Sequence, residues 1–121
     1  MSASSIEIRG LQALGRHGVL PEEQARAQPF EVDITIETHI APAARTDHLD
    51  ATVDYSTVIA AVVELVETTQ FALLESLASA IAEEVLGRRG VEAVTVEVRK
   101  MRPPVPAQVA WVGVRLRRTS V

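Results

Sequence analysis

The hydrophobic period of the chain changes twice along its length, and this limits the folds open to it. Phe30, Val32, Ile34 and Ile36 alternate with Glu31, Asp33, Thr35 and Glu37. A period of two marks a half-buried strand. From about Tyr55 the period lengthens. Val58, Ile59, Val62, Leu65 and Val66 share one helical face, with Asp54 or Thr52 placed to cap it. After "ETTQFA", Leu74, Leu77, Ala78, Ile81, Val85 and Leu86 form a second amphipathic helix. It stops at Gly87 to Gly90, with two arginines in its last turn where the macrodipole favours cations. Alternation returns in Val94, Val96 and Val98 against Thr95, Glu97 and Arg99. An earlier strand runs from Ile6 through a bulged or extended stretch to Leu14. A final one is expected over roughly Val109 to Arg117.

The element order is therefore β-β-α-α-β-β. It predicts an α+β fold, a four-stranded antiparallel sheet with both helices on one face. The other face is expected to be partly apolar and to need a cover. With the long second strand and the narrow core, this argues for oligomerisation. At 121 residues the chain is expected to form a single domain, 1–121, with no internal repeat or linker.

Composition removes several function classes. Net charge is −4 and no basic run stands out, so neither nucleic acid nor an anionic membrane is an expected partner. There is no cysteine, hence no disulfide, thiol nucleophile or cysteine metal site. The polar start "MSASSIEIRG" does not read as a signal peptide, and no apolar stretch reaches membrane-spanning length. A cytoplasmic protein is the expectation. His17, His39 and His48 stand at spacings that match no zinc-ligand pattern. His17, in a Gly-flanked turn, reads as a packing residue.

One count invites chemistry. Of twelve basic residues eleven are arginine, and the single lysine is Lys100, in "VRKMRPPVP". It has the parity of Val94, Val96 and Val98 and so leaves its strand from the core-facing side. Lysine can give up a proton in a tuned site, whereas arginine stays charged. Glu22 or Glu23, Tyr55 (the only tyrosine) and Glu75 complete the short list of candidates. Taken one at a time, each is as easily a solvated charge, a packing residue or a helix-terminus carboxylate.

Together these residues lie in "LGRHGVLPEEQARAQPFEVDI", "RTDHLDATVDYSTV", "FALLESLASAIAEEV" and "VRKMRPPVP". In that order and spacing the four segments resemble the dihydroneopterin aldolases of folate biosynthesis, across essentially the whole chain. The resemblance implies a tunnelling fold, in which such units join side by side into a ring-shaped barrel. It implies a homo-oligomer, tetramer or octamer, with a pterin substrate bound between neighbouring subunits.

The implied reaction is retro-aldol cleavage of 7,8-dihydroneopterin to glycolaldehyde and 6-hydroxymethyl-7,8-dihydropterin. The C=N bond of the dihydropterin ring can take the electrons, so no metal or other cofactor is expected, only proton transfer and positioning. Carried over by motif, Lys100 is the general acid–base residue and Glu75 receives the amino and ring N–H donors of the pterin. The backbone near Leu74 adds to this grip. Val53 and Tyr55 come from the neighbouring subunit, with Tyr55 also helping to deliver a proton. Glu23, which fits the family's loop glutamate better than Glu22, contacts the substrate side chain and the Lys100 region. A nearby carboxylate favours protonated lysine and burial the neutral form, and the sequence leaves this open.

Two other readings stand beside this one. Retro-aldol cleavage followed by re-addition gives a C2′ epimerase, acting on dihydroneopterin or its triphosphate, and Arg16 or Arg102 near the site would favour a phosphorylated substrate. A non-catalytic ligand-binding module with the same element order would need neither Lys100 nor Tyr55.

Overall fold

The computed structural model describes residues 4–120. Its elements are β1 (Ser5–Gly15), α1 (Pro21–Ala25), β2 (Gln28–Glu37), α2 (Ala41–Thr46), a 3-10 turn (Leu49–Ala51), α3 (Tyr55–Thr68), α4 (Leu74–Leu86), β3 (Ala93–Lys100) and β4 (Val112–Thr119). The four strands form one antiparallel sheet in the order β1-β2-β3-β4, as the alternation predicts. The β1/β2 register shifts between Ile8 and Leu11, which is the bulge expected there.

Helices α3 and α4 cover one face. Phe30, Val32, Ile34 and Ile36 of β2 and Val94, Val96 and Val98 of β3 point into that layer. They meet Val58, Val62 and Val66 from α3 and Leu77, Ala78, Ile81, Ala82 and Val85 from α4. Asp54 caps α3, its carboxylate accepting from the Ser56 N–H and hydroxyl. Each fully buried Val or Ile contributes about 1.5–3 kcal/mol relative to an exposed position, so this layer dominates stability.

Four expectations need correction. The segments read as turn and loop contain short helices, α1 and α2. Both have proline in the first turn, where its missing N–H costs nothing, and both are too short to show a period. Arg88 and Arg89 lie beyond the end of α4 at Gly87, not in its last turn. The last strand begins at Val112 rather than Val109.

The fourth correction concerns the uncovered face of the sheet, which is polar rather than partly apolar. Cross-strand register brings Glu31 opposite Arg99 and Asp33 opposite Glu97. The Arg99 guanidinium sits among Glu31, Asp33 and Glu97 and stacks on Trp111, 5.4 Å from the ring centroid. Hydrogen bonding to Asp33 is the main cause holding the Arg99 guanidinium above its ordinary value. Arg117 closes on Glu37 at 2.8 Å. Such a face can remain hydrated without an apolar cover.

Candidate functional site

The end of the sheet where β1 and β3 finish and β2 begins gathers the chemistry. Lys100 is the last residue of β3, paired in register with Phe30. Its Nζ lies 2.6 Å from Oε2 of Glu23, with only 12% of the lysine side chain and 7% of the glutamate side chain exposed. Parity sends Lys100 to the helix-covered side, and the two acidic residues behind Pro21 start α1, which turns Glu23 inward and leaves Glu22 exposed. The other carboxylate oxygen of Glu23 accepts from the Leu20 N–H. The Glu23 carboxylate also lies so close to Gly18 that a Cβ there would collide with it and meet Glu23 Cβ at 2.7 Å. The glycine after His17 is therefore a steric requirement of the pair.

His17 is the strut of this end. It is 1% exposed, edge-on to Phe30 and stacked on Phe71. Nδ1 accepts the Phe71 N–H at 3.0 Å, so the ring proton is on Nε2, which donates to the Val66 carbonyl at 2.8 Å. The Gly18 N–H in turn donates to the Phe71 carbonyl. Burial pushes the imidazole below its ordinary value of 6.5; the Val66 carbonyl opposes this and the nearby Lys100 charge adds to it. His17 is thus a neutral packing residue, as the turn context suggested. Through Phe71 it ties the Glu23 loop to the segment that opens α4, where Leu74 is half-buried and Glu75 exposed in the first turn. Burial and tautomer were not readable from spacing, because His17 meets Val66 and Phe71 across about fifty residues of chain.

Val53 and Tyr55 stand elsewhere. Val53 is buried near Gly90, just before β3, and Gly90 accepts from the Thr38 hydroxyl just after β2. That is the opposite end of the sheet. Tyr55 opens α3 and is 59% exposed, while Val66, near the end of α3, touches His17. At 1.5 Å per residue these two helix positions are about 17 Å apart along the axis. Within one chain, therefore, Glu23 and Lys100 come together, the Leu74–Glu75 segment is tied to the same end, and Val53 and Tyr55 lie apart from them. Among the described residues no group of three or more His, Cys, Asp or Glu is placed to hold a metal ion. No helix among them is long and apolar enough to cross a membrane.

An inward lysine–carboxylate pair at a sheet end can exchange a proton with a bound molecule, and a helix-opening carboxylate on the segment tied to that end can receive paired N–H donors. The dihydroneopterin aldolase (FolB) family model matches residues 6–117. The dihydroneopterin aldolase of Streptomyces coelicolor is 40% identical over 116 residues, which cover 96% of this chain and 98% of that protein. The crystal structure of E. coli dihydroneopterin aldolase in complex with neopterin matches with a TM-score of 0.87 at 30% identity, covering 95% of this chain and 98% of that one. The Burkholderia thailendensis dihydroneopterin aldolase bound to guanine matches at 0.79 and 25% identity, over 96% and 90% of the two chains. With model, sequence and fold in agreement over nearly its whole length, this chain belongs to the dihydroneopterin aldolase family.

Proposed function

We propose that the protein cleaves 7,8-dihydroneopterin by a retro-aldol reaction in which Lys100, held by Glu23, moves the protons. The supporting observation is the buried 2.6 Å contact between Lys100 Nζ and Glu23. The C1′–C2′ bond breaks, the 2′ hydroxyl loses its proton as C2′ becomes the aldehyde carbon of glycolaldehyde, and the electron pair passes into the ring C=N bond. A proton is then returned to C1′, giving the 6-hydroxymethyl product. Atoms and electrons balance without an oxidant or reductant. Glu75 anchors the pterin through its amino and ring N–H groups, with the Leu74 backbone beside it. A pterin and a guanine present the same kind of planar amide and amino edge, which is consistent with the guanine-bound relative.

Val53 and Tyr55 complete the pocket from a neighbouring subunit, since about 17 Å of helix keeps Tyr55 from its own Lys100. Strands β1 and β4 are the outer strands of the sheet. Open edges of this kind favour side-by-side pairing into a ring with a hydrated, charged inner face. The test is product analysis: purified protein with 7,8-dihydroneopterin, pterins separated by chromatography, glycolaldehyde and the C2′ epimer measured alongside. Formation of 6-hydroxymethyl-7,8-dihydropterin with stoichiometric glycolaldehyde is expected. Binding without conversion would refute the aldolase reading.

A further inference from the structure

The two arginines that follow α4 do more than a helix end requires. Any cation just past Gly87 would complement the α4 macrodipole. Arg88 and Arg89 both reach across to the segment that leads into α3. The Arg88 guanidinium donates through Nη1 to the Thr57 hydroxyl at 2.9 Å and through Nη2 to Glu84 at 3.3 Å. The Thr57 hydroxyl donates in turn to the Asp54 carbonyl at 2.9 Å. On the other side of Val53, Arg89 donates to the Asp50 carbonyl at 3.4 Å. Next in the chain, Gly90 takes the left-handed conformation, with φ 93°, and lies against Val53; a Cβ on Gly90 would be 3.6 Å from Val53 Cγ2.

Three consecutive residues thus hold the 50–57 segment at Asp50, Val53 and Thr57, and Tyr55 lies inside that span. Asp54, beside it, feels the same guanidinium: its carboxyl is held below its ordinary value first by the Ser56 hydrogen bond and in smaller part by the Arg88 charge. The Arg88 side chain keeps this position although its Nε–H is buried with no acceptor among the described residues. Buried donors are nearly always paired, so an unpaired one persists where other contacts fix the side chain. Tyr55 itself is exposed, and its hydroxyl has no hydrogen-bond partner among the described residues. Its place is therefore set by its backbone, and so by whatever holds the first turn of α3.

We propose that Arg88 is a positioning residue for Tyr55: it holds the start of α3 so that the tyrosine meets the reacting side chain in the neighbouring subunit, which rests on the reading that Tyr55 completes a neighbour's site. A displacement of about 1 Å in such a site can cost on the order of 10²-fold in rate. Arg88→Gln should lower kcat about tenfold and leave pterin affinity, set by Glu75, within about twofold. Arg88→Lys keeps the cation at the helix end but lacks the planar fork, and should recover only part of the loss. Thr57→Val removes the hydroxyl acceptor with Arg88 in place. It should act in the same direction, and it stands in for Arg88→Gln if that variant does not fold.

Subunit mixing separates positioning from general damage. When Arg88→Gln and Lys100→Met chains co-assemble in equal amounts, half the sites keep Lys100, and half of those meet an intact Arg88 in the neighbour. Cleavage of 7,8-dihydroneopterin at about a quarter of the wild-type rate is then expected. Mixed with Tyr55→Ala, the same chain should give only about one-twentieth, because every usable tyrosine then comes from an Arg88→Gln chain. Wild-type kcat in Arg88→Gln, or in Thr57→Val where it stands in, overturns the proposal. So does full recovery in Arg88→Lys, which would assign Arg88 to the macrodipole alone. If Lys100→Met with Tyr55→Ala recovers on mixing and Arg88→Gln with Lys100→Met does not, the positioning role fails and the shared site stands. If neither mixture recovers, the shared site fails and the proposal with it.

Discussion

Replacing Lys100 by methionine keeps most of the side chain's length and removes its charge. In the wild-type protein the charged groups are 2.6 Å apart and both side chains are nearly buried. With an effective dielectric near 20, attraction at that separation is about 6 kcal/mol. Desolvation takes back several kcal/mol for each ion, so the net worth of the intact pair is small. Removing one partner is a different matter: the Glu23 carboxylate is then stranded where water barely reaches it, at a cost of about 3–5 kcal/mol. Lys100→Met should therefore be markedly less stable than wild type, and Glu23→Gln/Lys100→Met should recover most of the loss because no charge is left behind. Turnover should follow another order. Loss of a general acid–base group costs about 10²–10⁴-fold, and the double variant should stay as slow as the single one. Urea denaturation at fixed protein concentration measures the first order, single-turnover product analysis the second, and pterin titration shows whether binding is kept. Near-wild-type turnover in Lys100→Met would remove the lysine from the mechanism. Near-wild-type stability would mean that the pair is hydrated in the working protein, and the stranding argument would fail.

Glu75→Ala should weaken pterin binding by about 2–3 kcal/mol, since buried N–H donors lose a charged acceptor; calorimetric titration showing near-native affinity would end the anchor role. Lys100→Met and Tyr55→Ala, each inactive alone, should regain roughly a quarter of wild-type activity when co-assembled at equal amounts. Random assortment gives one site in four an intact Lys100 from one subunit and an intact Tyr55 from the next, and no recovery on mixing would place both residues in one chain's site. His17 should leave a pH signature. Its native value is lowered, so the stabilisation is complete above 6.5 and is lost as pH falls through that lowered value, because the unfolded chain takes up the proton first. The slope is at most about 1.4 kcal/mol per pH unit. Denaturation midpoints across pH 5–8 should lose this component in His17→Asn, and an unchanged pH profile would show that the imidazole can protonate in place.

The fold was legible wherever one face of an element is wholly apolar. Phe30 to Ile36 and Val94 to Val98 announced strands by parity, Val58 to Val66 a helix, and Asp54 its cap. Helices of five and six residues, α1 and α2, complete too few turns to leave a period. The polar far face also escaped, because its character depends on register: Arg99 is satisfied only when Glu31 and Asp33 from β2 stand beside it. For the site, parity put Lys100 on the core-facing side, but its pairing with Glu23 spans 77 positions and came from family resemblance.

The separation of Tyr55 from Lys100 follows from the same layer that stabilises the fold. Helix α3 must run nearly the length of the sheet for Val58, Val62 and Val66 all to reach the core, and this carries its two ends to opposite ends of the strands. The returning helix α4 then starts where α3 finishes, which is why the segment leading into α4 packs on His17 through Phe71 and why the Gly87–Gly90 turn closes near Val53. A chain built this way holds the Glu23–Lys100 pair and the segment with Glu75 at one end, and an exposed tyrosine beside a buried valine at the other. Shortening α3 to bring Tyr55 back to its own Lys100 would remove core residues worth about 1.5–3 kcal/mol each. On the proposed reading, supplying the tyrosine from a neighbour would avoid that loss, and the shared site and the stable core would both follow from one helix length.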